Sequence, residues 1–225
     1  MNRDQEIKLK LLEIFNSNAD PVRMCRRAYE YLTEDEEEPL AEENSLANTE
    51  NGIYLVFNNG QYSLYHKGMS KSLAGDVTGI GVIYDGHAFQ VALEALGELP
   101  LIENKNNTCP EESPFYKTEC EGLHDWDFVG ATNHLKECGM NIPLPEDWYI
   151  PTLAVLEVMC FLKKEINAAI KFAGGEPLSE DYYWSSTESS RLNARFVNFL
   201  NGSATSNYKY RSRVVRPVAA FNLEA

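Results

Sequence analysis

The residues of this 225-residue chain best suited to metal or nucleophile chemistry are its four histidines and five cysteines. His124 and His134 with Cys120 and Cys138 are donors that zinc accepts, yet there is no C-x-x-C pair and the spacings match no zinc pattern. The expectation is therefore no metal. A serine nucleophile would sit in a G-x-S-x-G elbow, which is absent. Cys160 falls within an apolar helical stripe and reads as a core residue. Gly75, Gly79 and Gly81 have the wrong spacing for a phosphate loop and lead into a strand, so they read as β-turn glycines. With 34 acidic residues, chance carboxylate pairs are inevitable and none is singled out. An enzyme working from the loop at 100–127 would have His124, Asp125 and Asp127 to use. Without a second set beside them, the expectation is no catalytic residue, no cofactor and no enzyme.

Charge points the same way. The formal net charge is −14, which disfavours general binding to nucleic acid or anionic lipid. It is unevenly spread. Residues 33–50 hold eight acids and no base, the composition of a solvated linker. Residues 182–221 carry a local charge of +5. Within 182–216, 22 of 35 residues are Ser, Thr, Asn, Tyr or Arg, a composition that suits recognition: Tyr gives contact area at small rotamer cost, Ser and Asn adapt their hydrogen bonds, and Arg anchors. A solvent-facing sheet edge with turns has a similar composition.

The elements that would position these residues read as α+β. Helices are expected over 4–15 and 21–32, followed by the acidic linker. Two hairpins follow, 53–65 around Asn58-Asn59-Gly60 and 77–91 around Asp85-Gly86. Residues 100–124, with three prolines, read as a long loop. A helix is expected over 128–138, closed by Gly139, and a stronger one from Pro151 to about Phe172, closed by Gly174-Gly175. Strands are then expected over 182–186, 194–200 and 212–218, the last held to an edge or a strand end by Pro217. No stretch is long and apolar enough to span a bilayer, and no Sec-type leader is visible, so the default expectation is a cytoplasmic protein with reduced cysteines.

Asp147-Trp148-Tyr149-Ile150-Pro151-Thr152-Leu153, then Tyr183-Trp184-Ser185-Ser186-Thr187-Glu188, Asn193-Ala194, Val197-Asn198-Phe199, Gly202, Val215-Arg216-Pro217-Val218 and Phe221 form an ordered set. Over 145–221 this set resembles C-type-lectin-fold proteins of the formylglycine-generating-enzyme type, and within them the variable proteins of bacterial or phage diversity-generating retroelements. The resemblance implies a C-type lectin-like domain over 51–225, of antiparallel hairpins plus two helices. Ahead of it stand an N-terminal helical segment, 1–33, and the acidic linker, 34–50. It also implies a variable region at 182–221, where template-directed adenine mutagenesis would diversify a ligand-binding surface.

On that reading Trp184, Ala194, Phe199, Gly202, Val215, Pro217 and Phe221 hold the scaffold. Ser185 to Glu188 form a structural corner, and Arg216 is buried and paired. The ligand-binding candidates are Ser190, Arg191, Leu192, Arg195, Asn198, Leu200, Asn201, Ser203, Thr205, Tyr208, Tyr210 and Arg211, facing an unknown protein or glycan. A fixed adhesin or carbohydrate-binding module of the same fold is the alternative. The chain departs from catalytic members of the wider fold, since no cysteine lies within 161–225. It also lacks the Glu-Pro-Asn and Trp-Asn-Asp motifs of calcium-dependent lectins. A phage particle or non-classical export to the cell surface are the alternatives to the cytoplasmic location.

Overall fold

A computed structural model describes residues 50–106 and 108–221. The chain divides into two units, Met1–Glu43 and Asn44–Ala225. The helices expected over 4–15 and 21–32 and nearly all of the acidic linker lie outside the described residues. The second unit is mixed α+β. In chain order its strands are β1 (Gly52–Phe57), β2 (Tyr62–Leu64), β3 (Val77–Tyr84), β4 (His87–Ala92), β5 (Glu98–Pro100), β6 (Tyr182–Glu188), β7 (Asn193–Asn198), β8 (Ser203–Tyr208), β9 (Ser212–Val214) and β10 (Val218–Ala220). Its α-helices are α1 (Glu119–Gly122), α2 (Phe128–Glu137), α3 (Leu153–Phe161) and α4 (Lys163–Ala173).

The strands make two five-stranded sheets, ordered β10-β4-β3-β1-β2 and β5-β9-β6-β7-β8. All pairings are antiparallel except a single parallel one, Tyr183 opposite Val214. Both expected hairpins form. Asp85 and Gly86 take φ of +51° and +74°, the paired left-handed conformation that a two-residue turn requires to match strand twist.

Five expectations need correction. Gly75 lies in a 3-10 helix, Lys71–Asp76, and Gly79 and Gly81 lie inside β3, not in β-turns. A Cβ at Gly79 would stand 2.0 Å from Gln90 Nε2, and one at Gly81 2.6 Å from Phe221 Cε1. These glycines let a neighbouring side chain lie flat on the sheet. Gly81→Ala is therefore expected to cost about 1–3 kcal/mol by overpacking, and Phe221→Leu in the same chain to recover part of it, as read by urea denaturation.

The helix expected from 151 to 172 is two. It breaks at Leu162 (φ −93°, ψ +15°), although the amide of Leu162 still donates to Val158 O. The two halves meet different surroundings: residues 153–159 are all buried, whereas only Ile166, Ala169 and Ile170 are buried in α4. Gly174 ends α4 in the left-handed conformation, φ +81°. Cys160, at the end of α3, is half-buried and not a core residue.

The strand expected over 212–218 is also two, in different sheets. β9 pairs with β5 and β6, and β10 forms an edge of the first sheet on β4, so the buried stretch Val215-Arg216-Pro217 carries the chain between them. Finally, residues 100–124, expected to form a long loop, contain α1, entered through a capping box between Thr118 and Glu121. Strand β8, of sequence SATSNY, has no apolar alternation to betray it and exists through its six register pairs with β7.

Trp184, Phe199 and Phe221 are core residues. The Ser185–Glu188 stretch fastens β6 to its surroundings: Ser186 Oγ donates to Ile150 O (3.0 Å), and Thr187 Oγ1 accepts from Leu153 N (2.9 Å). Arg216 is wholly buried and donates to Ala92 O (3.2 Å) and Glu176 O (2.7 Å), bridging two segments. Burial pushes its pKa below the usual arginine value.

Candidate functional site

The β7–β8 hairpin decides which recognition candidates can act together, because residues opposite each other in register share a sheet face. Arg195 pairs with Ser206, and Asn193 with Tyr208. Phe196 pairs with Thr205, and Asn198 with Ser203. Arg195 and Tyr208 therefore lie on one face, and Asn198, Ser203 and Thr205 on the other. The sheet does not present the twelve candidates as one surface.

Several are already engaged. Arg191 is ion-paired to Glu111, and Arg195 reaches Glu119 Oε2 (3.2 Å) and Lys117 O (3.3 Å), so both guanidinium groups tie the 111–119 segment to the hairpin. Ser190 Oγ accepts from Asn193 N (3.2 Å), Asn198 Oδ1 from Leu200 N (2.9 Å), and Asn201 Oδ1 from Ser203 N (3.0 Å). These bonds shape the turns, the ordinary work of Asn and Ser there.

The remainder are presented outward. Leu200 is 64% exposed, Tyr208 44%, and Leu192, Thr205 and Arg211 are also exposed. Tyr208 and Tyr210 stack with centroids 5.2 Å apart, and the Arg211 guanidinium lies 5.5 Å from the Tyr210 ring. Sequence reasoning missed two neighbours in the same sheet. Tyr182 is 48% exposed and packs edge-on against Phe196, and Arg213 lies 4.8 Å from the Phe196 ring and 5.4 Å from that of Tyr182. Both fall within the Ser, Thr, Asn, Tyr and Arg-rich stretch 182–216, whose composition is the signal that points to them.

A second arrangement is buried. Glu188, at the end of β6, forms an ion pair with Lys209, and neither side chain is exposed by more than 1%. Lys209 Nζ also donates to Arg191 O (2.8 Å) and reaches Cys109 Sγ (3.2 Å). On its other oxygen Glu188 faces His134 Nε2 at 3.1 Å. Cys138 Sγ lies 3.7 Å from the same nitrogen. Burial raises the Glu188 pKa, with Lys209 and His134 opposing, and burial likewise raises the Cys138 thiol. Sequence reasoning set His134 and Cys138 with His124 and Cys120. The structure brings Cys109, Cys138 and Glu188 together, with donor atoms within 4.8 Å of one another, while Cys120 is exposed.

The acids near His124 have structural work: Asp127 caps α2 by accepting from Gly130 N (2.7 Å), and Asp125 accepts from Asp127 N (3.1 Å). Burial raises the Asp125 pKa. An apolar groove of about 720 Å³, lined by residues such as Ile53, Leu64, Ile83 and Leu162, contains none of the candidates.

Two five-stranded, almost wholly antiparallel sheets with helices set against them define the class as α+β. No protein-family profile matches the chain. No curated protein matches it either. Among solved structures, a fimbrial protein from Bacteroides ovatus ATCC 8483 is similar at a TM-score of 0.46 and 13% identity, over 77% of this chain and 49% of that one. This chain thus spans about half the length of that protein. Among the described residues no helix is long and apolar enough to cross a membrane.

Proposed function

We propose that this protein is a ligand-binding module of C-type lectin-like type, whose second sheet and adjoining turns carry a recognition surface diversified by a retroelement. The observation that carries the reading is a concentration of exposed aromatic, aliphatic and arginine side chains on a hydrogen-bonded scaffold. Four of the eight large apolar side chains exposed among the described residues, Tyr182, Leu192, Leu200 and Tyr208, fall within 182–208. Stacked tyrosines with adjoining arginines offer rigid contact area at little entropic cost. The working surface is the touching set Tyr208, Tyr210 and Arg211; Leu192, Leu200, Thr205, Tyr182 and Arg213 are further candidates on the sheet and its turns, Thr205 on the face opposite Tyr208. Ser190, Arg191, Arg195, Asn198, Asn201 and Ser203 shape and brace it.

Sequencing the DNA around the gene tests diversification. A near-copy of the codons for 182–221, differing at adenines and beside a reverse-transcriptase gene, is the expected finding. Its absence, with constant residues at 189–211 between strains, makes this a fixed adhesin or carbohydrate-binding module.

Protein and glycan arrays probed with the full chain test recognition. Tyr208→Ala together with Tyr210→Ala is expected to weaken an array ligand by about 2 kcal/mol, roughly 30-fold. The pair is expected to change stability by no more than about 1–2 kcal/mol, since Tyr208 is exposed and Tyr210 is half-buried. Loss of folding would assign the tyrosines to the scaffold.

A further inference from the structure

We infer that Cys109, Cys138, His134 and Glu188 form a buried site for one tetrahedrally coordinated divalent ion of the zinc class. Two thiols, an imidazole and a carboxylate are the donors such an ion takes, and the thiolates select it over magnesium and calcium. They come from three separated parts of the chain. His134 and Cys138, four residues apart, project from one side of the C-terminal turn of α2. Cys109 comes from the segment before α1, and Glu188 from the end of β6.

The spacing suits one central ion. With bonds of about 2.3 Å to sulfur and about 2.0–2.1 Å to nitrogen and oxygen, tetrahedral donors stand roughly 3.4 Å apart for N···O and roughly 3.6 Å for pairs that include one sulfur. The separations here are 3.1 Å for His134 Nε2 to Glu188 Oε2 and 3.7 Å for His134 Nε2 to Cys138 Sγ, and the Cys109 and Cys138 sulfurs and a Glu188 carboxylate oxygen all lie within 4.8 Å of one another.

Two independent features point inward. Glu188 Oε2 is fully buried and, with no hydrogen bond of its own, faces only the His134 Nε2 3.1 Å away among the proposed donors. The Phe115 ring stacks on the His134 imidazole at 4.6 Å and 16°, holding the plane that aims Nε2 at the sulfur and the carboxylate. Ser113 Oγ, 3.3 Å from Nε2, would yield that nitrogen to the ion.

Lys209 does not compete for the same lone pair, because it holds the opposite carboxylate oxygen, Oε1. On binding, two thiol protons leave. Two thiolates and one carboxylate then balance a divalent ion and the Lys209 ammonium, so the loaded site is neutral, as is the empty one with both thiols protonated.

The test uses the full chain, reduced and stripped with EDTA, and Co²⁺ or Zn²⁺ as probe. Expected are uptake of one equivalent of Co²⁺ with thiolate-to-metal charge transfer and tetrahedral visible bands, and displacement of the Co²⁺ by one equivalent of Zn²⁺. At a hundredfold excess over Kd, Zn²⁺ is expected to raise Tm by about 5–10 °C. Cys109→Ala and His134→Ala, each checked for folding by circular dichroism, are expected to lower affinity by about 100-fold or more, beyond what loss of an orienting neighbour costs. Cys120→Ser is expected to leave it unchanged. Absence of the bands in the reduced protein, or uptake indifferent to the Cys109 and His134 substitutions, overturns the proposal.

Discussion

Replacing Lys209 with Met is expected to destabilise the domain by about 3–5 kcal/mol in EDTA, a fall in Tm on the order of 10 °C. Lys209 and Glu188 are both buried, so the methionine leaves a carboxylate in the interior with the His134 imidazole and the Cys109 thiol beside it and no ammonium. The substitution also removes the bond to Arg191 O. Much of the loss is the cost of stranding a charge and not the worth of the pair, so removing both charges is expected to be far milder than removing one. Lys209→Met with Glu188→Leu should recover most of the stability in urea denaturation. A single variant within 1 kcal/mol of the parent, or a double variant no better than the single, would show that the pair does not anchor this corner.

Trp184→Ala is expected to cost at least as much, about 3–5 kcal/mol from lost burial and the cavity left behind. Trp184 lies fully buried in the middle of the second sheet, edge-on to Phe196. Its Nε1 donates to Leu99 O and Arg211 O, both at 3.1 Å, joining β5 to the loop that carries Arg211. Trp184→Phe keeps a ring and removes only the donor and some volume, so it is expected to lose about 1–3 kcal/mol. Thermal unfolding of the two variants separates the terms. Equal losses would mean that the ring's volume contributes little beyond its hydrogen bonds.

Elements set by short-range chemistry were legible in the sequence. Asp85-Gly86 demands left-handed φ at two successive residues, and the hairpin forms there. Gly139 follows α2 at φ +94° and Gly174 ends α4 at φ +81°, because glycine enters that conformation with the least strain. The break at Leu162 was not legible, since an apolar stripe reads alike whether a helix is buried all round or on one side. β8 was not legible either, since its polar residues have no period and its pairing with β7 makes it a strand.

Composition and motif order by themselves determined the α+β class, the core role of Trp184, Phe199 and Phe221, and the stretch where Ser, Thr, Asn, Tyr and Arg concentrate. Only the tertiary structure decided which of those residues are outward-facing and which are tied down. Arg191 and Arg195 meet carboxylates from a segment about 80 positions away, and a contact that distant leaves no local signature. The same reason hid the buried cluster. Cys109, His134, Cys138, Glu188 and Lys209 meet because a strand end, a helix end, a loop and the turn after β8 close on one another, with Cys109 and Lys209 100 positions apart. Spacing along a chain reports what one helix or strand can bring together, and packing alone reports the rest.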